Sequence, residues 1–236
     1  MVFLGLAKGG FSGVGIIATP LIALTVPPVQ AAAIVLPILI VQDAISVWVY
    51  RRDWDAWNLK VLLPGAVLGI GAGWALAARV SEVYVRLALG LVVCAFVLNV
   101  WFGATGKAVR RPSTLSGLFL GTLSGFTSMI SHAGAPPFQM HLLPQKLDRV
   151  RLAATSAVFF AALNAIKLVP YFLLGQFSTE NLATSAVLVP FAILTNLLGI
   201  WLVRFVRHES FYRITYVLVF LISLELIRGG VMGIVR

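Results

Sequence analysis

The chain has 236 residues, of which 60% are hydrophobic and 11% are charged, and its formal net charge is +10. Apolar runs of about twenty residues, the length that crosses a hydrocarbon core of roughly 30 Å, recur along it, which indicates an all-α integral membrane protein rather than a β-barrel. Most basic residues lie between these runs, where Lys and Arg set membrane orientation, so the net charge does not predict nucleic-acid binding.

The first half of the chain opens with an interrupted apolar segment. Residues 1–15 end in a glycine-rich run, and a second apolar arm, 14–26, is closed by Pro27 and Pro28, which cannot continue a helix. Three apolar spans follow, each long enough to cross a membrane: 29–50, 59–78 and 83–102. Residues 103–114, which are rich in Lys and Arg, form the one clear linker of the sequence.

The second half repeats this order of elements. An interrupted apolar segment, 115–143, is followed by spans at 152–171, 182–203 and 212–227. Three landmarks of the first segment recur after a constant offset of 116 residues: Gly5 as Gly121, Gly9 as Gly125 and Pro20 as Pro136. Interrupted apolar segments at equivalent places in two halves indicate the binding site of a transporter. We therefore predict two repeats, residues 1–102 and 115–236, joined by a basic cytoplasmic linker at 103–114.

The basic residues predict how each repeat crosses the membrane. If both interrupted segments span it, the loops hold eight basic residues on each side. If each segment is a re-entrant hairpin, twelve loop residues share one side and only Arg79, Arg86, Arg228 and Arg236 lie opposite, which is a positive-inside pattern. An arm of ~12 helical residues would then reach about 18 Å, roughly half the core. We predict inverted repeats, each a re-entrant or broken helical hairpin plus three transmembrane helices, with both termini outside.

The first break offers the groups that an anion site requires. A helix N-terminus presents free N–H groups and a partial positive charge, the hydroxyl of Ser12 adds a donor, and Gly9, Gly10 and Gly13 let the backbone approach a ligand. Lys8 is the candidate fixed cation, because an uncompensated charge in a membrane segment costs at least ~3 kcal/mol. Two alternatives stay open: the glycines only allow close helix packing, and Lys8 extends to the membrane surface.

The second break is predicted at residues 125–131, ahead of a C-terminal helical arm. Ser128 and Ser131 supply hydroxyl donors there, and Gly134 lacks a Cβ atom. His132 has an ordinary pKa of about 6.5, so its protonation would change the affinity of the site for an anion near neutral pH. The alternative is a neutral histidine that binds backbone carbonyls freed by the break.

Two polar positions lie within spanning segments. Asp43 is the acid deep in a span of the first half, and either an ion pair with Lys8 or a proton site coupled to transport would explain it. Asn164 occupies the corresponding place in the second half and shares a helix face with Lys167, three residues on. Because Lys167 lies four residues from Tyr171, we expect its ammonium group to extend to the membrane surface.

Several motifs occur in a fixed order along essentially the whole chain. They are GLAKGGF at 5–11 with Pro20, the run 31–50 with Asp43, YRRDWD at 50–55, LLPG at 62–65, SMISHAGAPP at 128–137, and ATS at 154–156 ahead of Asn164 and Lys167. This ordered set resembles the sulfite exporter (TauE/SafE) family of membrane permeases. Many members have a run of glycines at both breaks, whereas the second break here contains Ser131 and His132. The resemblance implies transport of sulfite, organosulfonates or related oxyanions.

The sequence thus predicts a multi-pass secondary transporter of the bacterial inner membrane. Its small anionic substrate would bind at the midplane between the two breaks, with Asp43 or His132 as proton-coupling groups. A passive anion channel and an intramembrane hydrolase are the alternatives, although the sequence has no paired acids or metal-ligand clusters that would support catalysis. With Cys94 as its single cysteine, the chain is expected to use no metal, cofactor or catalytic residue. Its partners are the anion and the lipid bilayer, and a dimer is one option for its assembly.

The inverted topology can be tested by cysteine labelling after replacement of Cys94. Single cysteines at Gly106 and Gln145 should both react with a membrane-impermeant maleimide from the cytoplasmic side only, because both lie in the basic loops. A cysteine at Ser81, in the opposite loop, is the control and should react from outside. Opposite sidedness of Gly106 and Gln145 would contradict the re-entrant hairpin.

Overall fold

The computed structural model describes residues 2–10, 28–76, 79–102, 113–131, 133–173 and 177–235. The regular elements in these ranges are helical, with a 3-10 turn at Leu143–Gln145. The nine α-helices of the described ranges are α1 (Val2–Gly9), α2 (Pro28–Val49), α3 (Ala56–Leu76), α4 (Glu82–Phe102), α5 (Thr114–Ser131), α6 (Ala135–Leu142), α7 (Arg149–Leu173), α8 (Thr179–Phe205) and α9 (His208–Val235).

Five of these helices are long and apolar enough to cross a membrane. They are α3, α7, α8 and most of α4 and α9. Helix α2 has 22 residues, but its described side chains begin at Ile34. Its described apolar stretch, Ile34–Val49, is therefore shorter than the five spans. The prediction of an all-α protein with membrane-spanning helices is confirmed, while the inverted relation between its halves stays a prediction.

The helices form two compact units, and each unit combines helices from both halves of the sequence. The first unit comprises Met1–Ala56 and Asp148–His208 and contains α1, α2, α7 and α8. The second unit comprises Trp57–Leu147 and Glu209–Arg236 and contains α3 to α6 and α9. This grouping by contact does not test whether residues 1–102 and 115–236 are repeats of each other. The repeats stay a prediction.

In the first unit, α1 packs against α8 with its backbone in direct contact. The positions where Gly5 and Gly9 would carry a Cβ atom are filled by Thr195 and by the backbone of Gly199. From the other side, an ideal Cβ on Gly199 would lie 2.9 Å from the Cα of Gly9. The contact between α1 and α2 is apolar at one end and involves Leu4, Val35 and Leu39. Close packing of small residues is what associates helices where no hydrophobic force acts between them.

In the second unit, small residues spaced four apart join α3 to α5. The α3 glycines that face the α5 backbone are Gly65, Gly69 and Gly73, and the α5 glycines that face α3 are Gly121 and Gly125. Gly121 and Gly125 are the counterparts of Gly5 and Gly9 at the offset of 116 residues. Both members of each predicted glycine pair therefore serve helix packing, which is the alternative that the sequence left open for the glycine-rich segments.

Helices α5 and α6 form an antiparallel hairpin. Ser116, near the start of α5, places its Oγ 3.4 Å from Nδ1 of His141, near the end of α6. Closer to the bend, Ser124 Oγ donates a hydrogen bond to the carbonyl of Gly134 at 2.6 Å. The chain therefore enters and leaves this hairpin at the same end, as a re-entrant segment requires. Its placement in a bilayer stays a prediction.

The break in this hairpin is shorter and lies later than the sequence predicts. Residues 125–131 continue α5, and the described non-helical residues are Ala133 and Gly134. Thr127 Oγ1 donates to the carbonyl of Leu123 at 2.8 Å, a side-chain bond that a helix accommodates, so hydroxyl residues here did not end the helix. The two arms are also unequal, since the 18 residues of α5 rise about 27 Å and the 8 residues of α6 about 12 Å.

Replacing Gly69 with alanine should destabilise the second unit, because an ideal Cβ there would lie 2.7 Å from Phe126 N and 2.9 Å from Thr122 C. Gly71, in the same helix, has no atom within 4 Å of its Cβ position and is the matched control. We expect Gly71→Ala to be neutral or slightly stabilising, since alanine exceeds glycine in helix preference by about 0.5–1 kcal/mol. Thermal unfolding in detergent compares the two variants. Equal melting temperatures would contradict the α3–α5 packing.

Candidate functional site

A stripe of polar side chains runs along the face of α2 that contacts α1. Asp43 and Ser46 lie on α2, Tyr50 is the residue that directly follows this helix, and the three residues at i, i+3 and i+7 are all buried. The carboxylate of Asp43 forms an ion pair with Lys8. Ser46 Oγ lies 3.1 Å from the carbonyl of Lys8, and the Tyr50 hydroxyl donates to the carbonyl of Gly9 at 2.7 Å. The last carbonyls of α1, which have no partner within the helix, are therefore satisfied by α2.

Both carboxylate oxygens of Asp43 are engaged. Lys8 Nζ contacts Oδ1, and Asn164 Nδ2 on α7 donates to Oδ2 at 2.7 Å. The ammonium group of Lys8 also lies 5.8 Å from the ring centroid of Phe160, within the range of a cation–π contact. The ion pair that the sequence proposed for Lys8 and Asp43 is present in the structure.

Lys167 is a second cation in the same cluster. Its residue is 1% exposed, and it lies close enough to Lys8 and Asp43 to interact electrostatically with both. The prediction that Lys167 extends to the membrane surface is therefore wrong. The Lys8 ammonium group repels the Lys167 head group and the Asp43 carboxylate attracts it, with the repulsion the larger of the two, so Lys167 is buried without full compensation from these two groups.

Amide side chains fasten this cluster to α8. Gln42 Nε2 donates to the carbonyl of Ala192 at 2.8 Å, and Asn196 Nδ2 donates to the carbonyl of Gln42 at 3.0 Å. Ser46 Oγ lies 3.2 Å from Asn196 Oδ1. Four residues of the cluster were not predicted from the sequence: Gln42, Ser46, Tyr50 and Asn196. The helical spacing of Ser46 and Tyr50 from Asp43 was a signal that could have found those two.

The predicted site residues divide by their place in the structure. Those in the first unit are Lys8, Gly9, Gly10, Asp43 and Asn164, and those in the second unit are Ser128 and Gly134. The structure brings Lys8, Asp43 and Asn164 into direct contact. Ser12, Gly13 and His132 lie outside the described residues, as does the side chain of Ser131.

The described glycines next to the breaks are packed against protein. Gly10 has a φ of 138°, which favours glycine, and an ideal Cβ there would lie 2.6 Å from Val203 Cγ2. At Gly134 the Cβ position lies 2.8 Å from both the Ser124 carbonyl oxygen and Ser128 Cβ. These glycines permit close approach of protein segments, and a contact between their N–H groups and an anion stays a prediction.

The hydroxyl groups near the second break bind backbone carbonyls. Besides the bond from Ser124 to Gly134, Thr127 Oγ1 lies 3.0 Å from the carbonyl oxygen of Ala133, and the Ala133 N–H donates to the carbonyl of Thr127 at 3.1 Å. Backbone groups freed by a helix break must be satisfied within the protein in a membrane. Ser124 and Thr127 therefore have a structural role here.

The N-terminus of α6 has few donors for an anion. Gly134 is its N-cap, and Pro136 and Pro137, which lack an N–H group, follow in the first turn. Of the four N–H groups that a helix start normally leaves unpaired, only those of Gly134 and Ala135 exist here. The lysines of the first unit are thus the stronger candidates for an anion contact.

A cavity of about 410 Å³ in the first unit lies at the loops instead of at this cluster. Its lining residues are Arg52, Asp53, Trp54, Asp148, Val150 and Arg151. None of them belongs to the cluster around Asp43, and the cavity brings none of the predicted site residues together. It therefore adds nothing to the assignment of the site.

Comparison with known families identifies the chain. The family model described as "Sulfite exporter TauE/SafE" matches residues 1–226. The chain belongs to this family. No match was found among curated proteins or among solved structures.

Membership in the TauE/SafE family confirms the resemblance drawn from the sequence motifs. Together with the five apolar helices, it makes the chain a multi-pass membrane protein of a transporter family. The matched region contains α1, α2, α7 and α8 in full, and hence the whole Lys8–Asp43–Lys167 cluster. A role in transport is consistent with the expectation that the chain is not an enzyme.

A double-mutant cycle tests the buried ion pair of this family member. Lys8→Met removes the direct ion-pair partner of the Asp43 carboxylate and should destabilise the first unit by up to about 3 kcal/mol, because Lys167 still attracts that carboxylate. Asp43→Asn leaves Lys8 and Lys167 without a counter-charge and should unfold at a lower temperature than the unaltered protein, and the double variant Lys8→Met/Asp43→Asn completes the cycle that measures the coupling. Thermal unfolding in detergent supplies the values. Additive effects of the two substitutions would show that the pair is not coupled.

Proposed function

We propose that this TauE/SafE member is a secondary transporter that moves small sulfur-containing anions, such as sulfite or organosulfonates, across the bacterial cytoplasmic membrane. The anion binds beside the lysines of the first unit, with Lys8 as a direct contact. One observation carries this proposal: two lysines and an aspartate lie together within helices that are mostly apolar.

The cost of burying charge supports this assignment. Each ion taken out of water costs several kcal/mol unless it is paired, and membrane segments retain such groups where they serve a substrate or ion pathway. Lys8 and Asp43 compensate each other, and Lys167 adds a second positive charge within electrostatic range of both. A small anion bound beside them would supply negative charge that compensates the second lysine.

The position of Lys8 at a helix end gives further support. Helix α1 ends at Gly9, one residue after Lys8, and Gly10 turns the chain away from helical geometry. Secondary transporters commonly build their substrate sites at such discontinuous helices. The side chain that carries the charge is therefore attached where the backbone can rearrange between states of a transport cycle.

Proton coupling is part of the proposal. Asp43 is the acid that contacts Lys8, and His132, outside the described residues, is the titratable group of the second break. Family membership supports a carrier over the intramembrane hydrolase considered from the sequence. The compensated buried charges support a carrier that binds its anion over a passive channel.

Transport assays in liposomes test the function and the role of Lys8. The purified protein should catalyse counterflow of labelled sulfite, and Asp43→Asn should retain sulfite binding. Removing Lys8 in that background, as Lys8→Met/Asp43→Asn, avoids an unpaired carboxylate and should weaken binding by about tenfold or more. Lys60→Met removes an exposed lysine and is the matched control, with an expected change of less than about twofold.

Counterflow sets a carrier apart from a channel. Trans-acceleration of labelled sulfite by unlabelled sulfite supports a carrier, whereas flux that is independent of the trans anion would contradict it. Equal affinity for sulfite in Asp43→Asn and in the double variant would show that Lys8 does not contact the anion.

A further inference from the structure

We infer that Lys167 is the second cation of the anion site and that Asp43 takes up one proton when a divalent anion binds, but none when a monovalent anion binds. This inference rests on the proposed function. It adds the charge class of the substrate and the side chain that receives the proton.

The charge of the cluster is the first step. With all three groups ionised, Lys8 and Lys167 contribute two positive charges and Asp43 one negative charge, so the described part of the cluster carries a net charge of +1. A monovalent anion such as a sulfonate brings this sum to zero. A divalent anion such as thiosulfate leaves an excess of one negative charge, which is costly to bury. One added proton restores neutrality.

Asp43 is placed to receive that proton. The charged groups that face it are Lys8 from α1 and Lys167 from α7, and its own helix and α8 contribute only uncharged polar groups to the described cluster. When the ammonium group of Lys8 turns from Asp43 Oδ1 to the anion, Oδ1 loses its contact. A proton released by the protonated buffer in the surrounding solution then forms an O–H bond at Oδ1, and Asn164 keeps its hydrogen bond to Oδ2.

Lys167 lies on α7, a different helix from the one that carries Lys8, and its position allows it to contact the same anion. It lies one helical turn from Asn164, the residue that holds Asp43 Oδ2, and it is buried with the cluster. Lys8 is attached to α1 and Lys167 to α7, so the two cations approach the carboxylate from different helices. Two lysines on separate helices can contact different oxygens of one oxyanion, which a single lysine cannot do.

The number of protons taken up per bound anion tests the inference without any substitution. Isothermal titration of the full chain in detergent, in two buffers of different ionisation enthalpy, measures it. The probes are thiosulfate, a divalent anion, and methanesulfonate, a monovalent one, neither of which titrates near neutral pH. We expect about one proton per thiosulfate and about none per methanesulfonate. Equal proton uptake with the two anions, or binding of methanesulfonate alone, would overturn the inference.

Substitutions identify the groups. Asp43→Asn should bind thiosulfate without proton uptake, whereas uptake that persists would assign the proton to another group such as His132. Lys167→Met should weaken thiosulfate binding by about tenfold or more, and Lys167→Arg should restore most of it. Unchanged thiosulfate affinity in Lys167→Met would remove Lys167 from the site. If the unaltered protein binds neither probe nor sulfite, the proposed function itself fails.

Discussion

The ion pair between Lys8 and Asp43 is the interaction on which the first unit depends. Helix α1 has eight residues, too few to be stable alone in water, and its end must be held by other helices. The pair fixes that end to α2, while the hydroxyl groups of Ser46 and Tyr50 donate hydrogen bonds to its last carbonyls. Loss of Lys8 would remove the direct partner of the Asp43 carboxylate, and loss of the Asp43 charge would leave Lys8 and Lys167 without their shared counter-charge. The Asp43 carboxylate therefore links α1 through Lys8 and α7 through Asn164 to α2.

The second unit meets the same constraint without charge. Its helix break also frees backbone carbonyl groups that have no water to bind in a membrane. Hydroxyl groups of the preceding helix donate hydrogen bonds to these carbonyls. Ser124 and Thr127 reach the carbonyls of Gly134 and Ala133, so the hairpin is closed by its own side chains. The described helix ends next to the two predicted breaks therefore differ: the end of α1 is held by an ion pair as well as by hydrogen bonds, and the end of α5 by neutral hydrogen bonds.

Because the charged cluster lies in the first unit, we assign the anion contact of the proposed transport to that unit. A buried cluster with more positive than negative charge attracts an anion, and a carboxylate within it lets the charge of the site follow the charge of its ligand. The glycines near the breaks contribute in another way. They allow the backbones of α1 and α8, and those of α3 and α5, to approach more closely than larger residues would permit.

The sequence by itself determined the helical membrane class and the family, and it offered an ion pair with Lys8 as one of two explanations for Asp43. Apolar length is a local property, and a charge within an apolar run needs a nearby opposite charge, so both can be read without a structure. Tertiary structure decided three features: the burial of the Lys167 side chain, the end of α5 at Ser131 and the packing role of Gly9. Each depends on residues far away in the chain, as in the bond from Asn196 to Gln42 across 154 positions. Local sequence patterns do not predict which distant helix packs against a given residue.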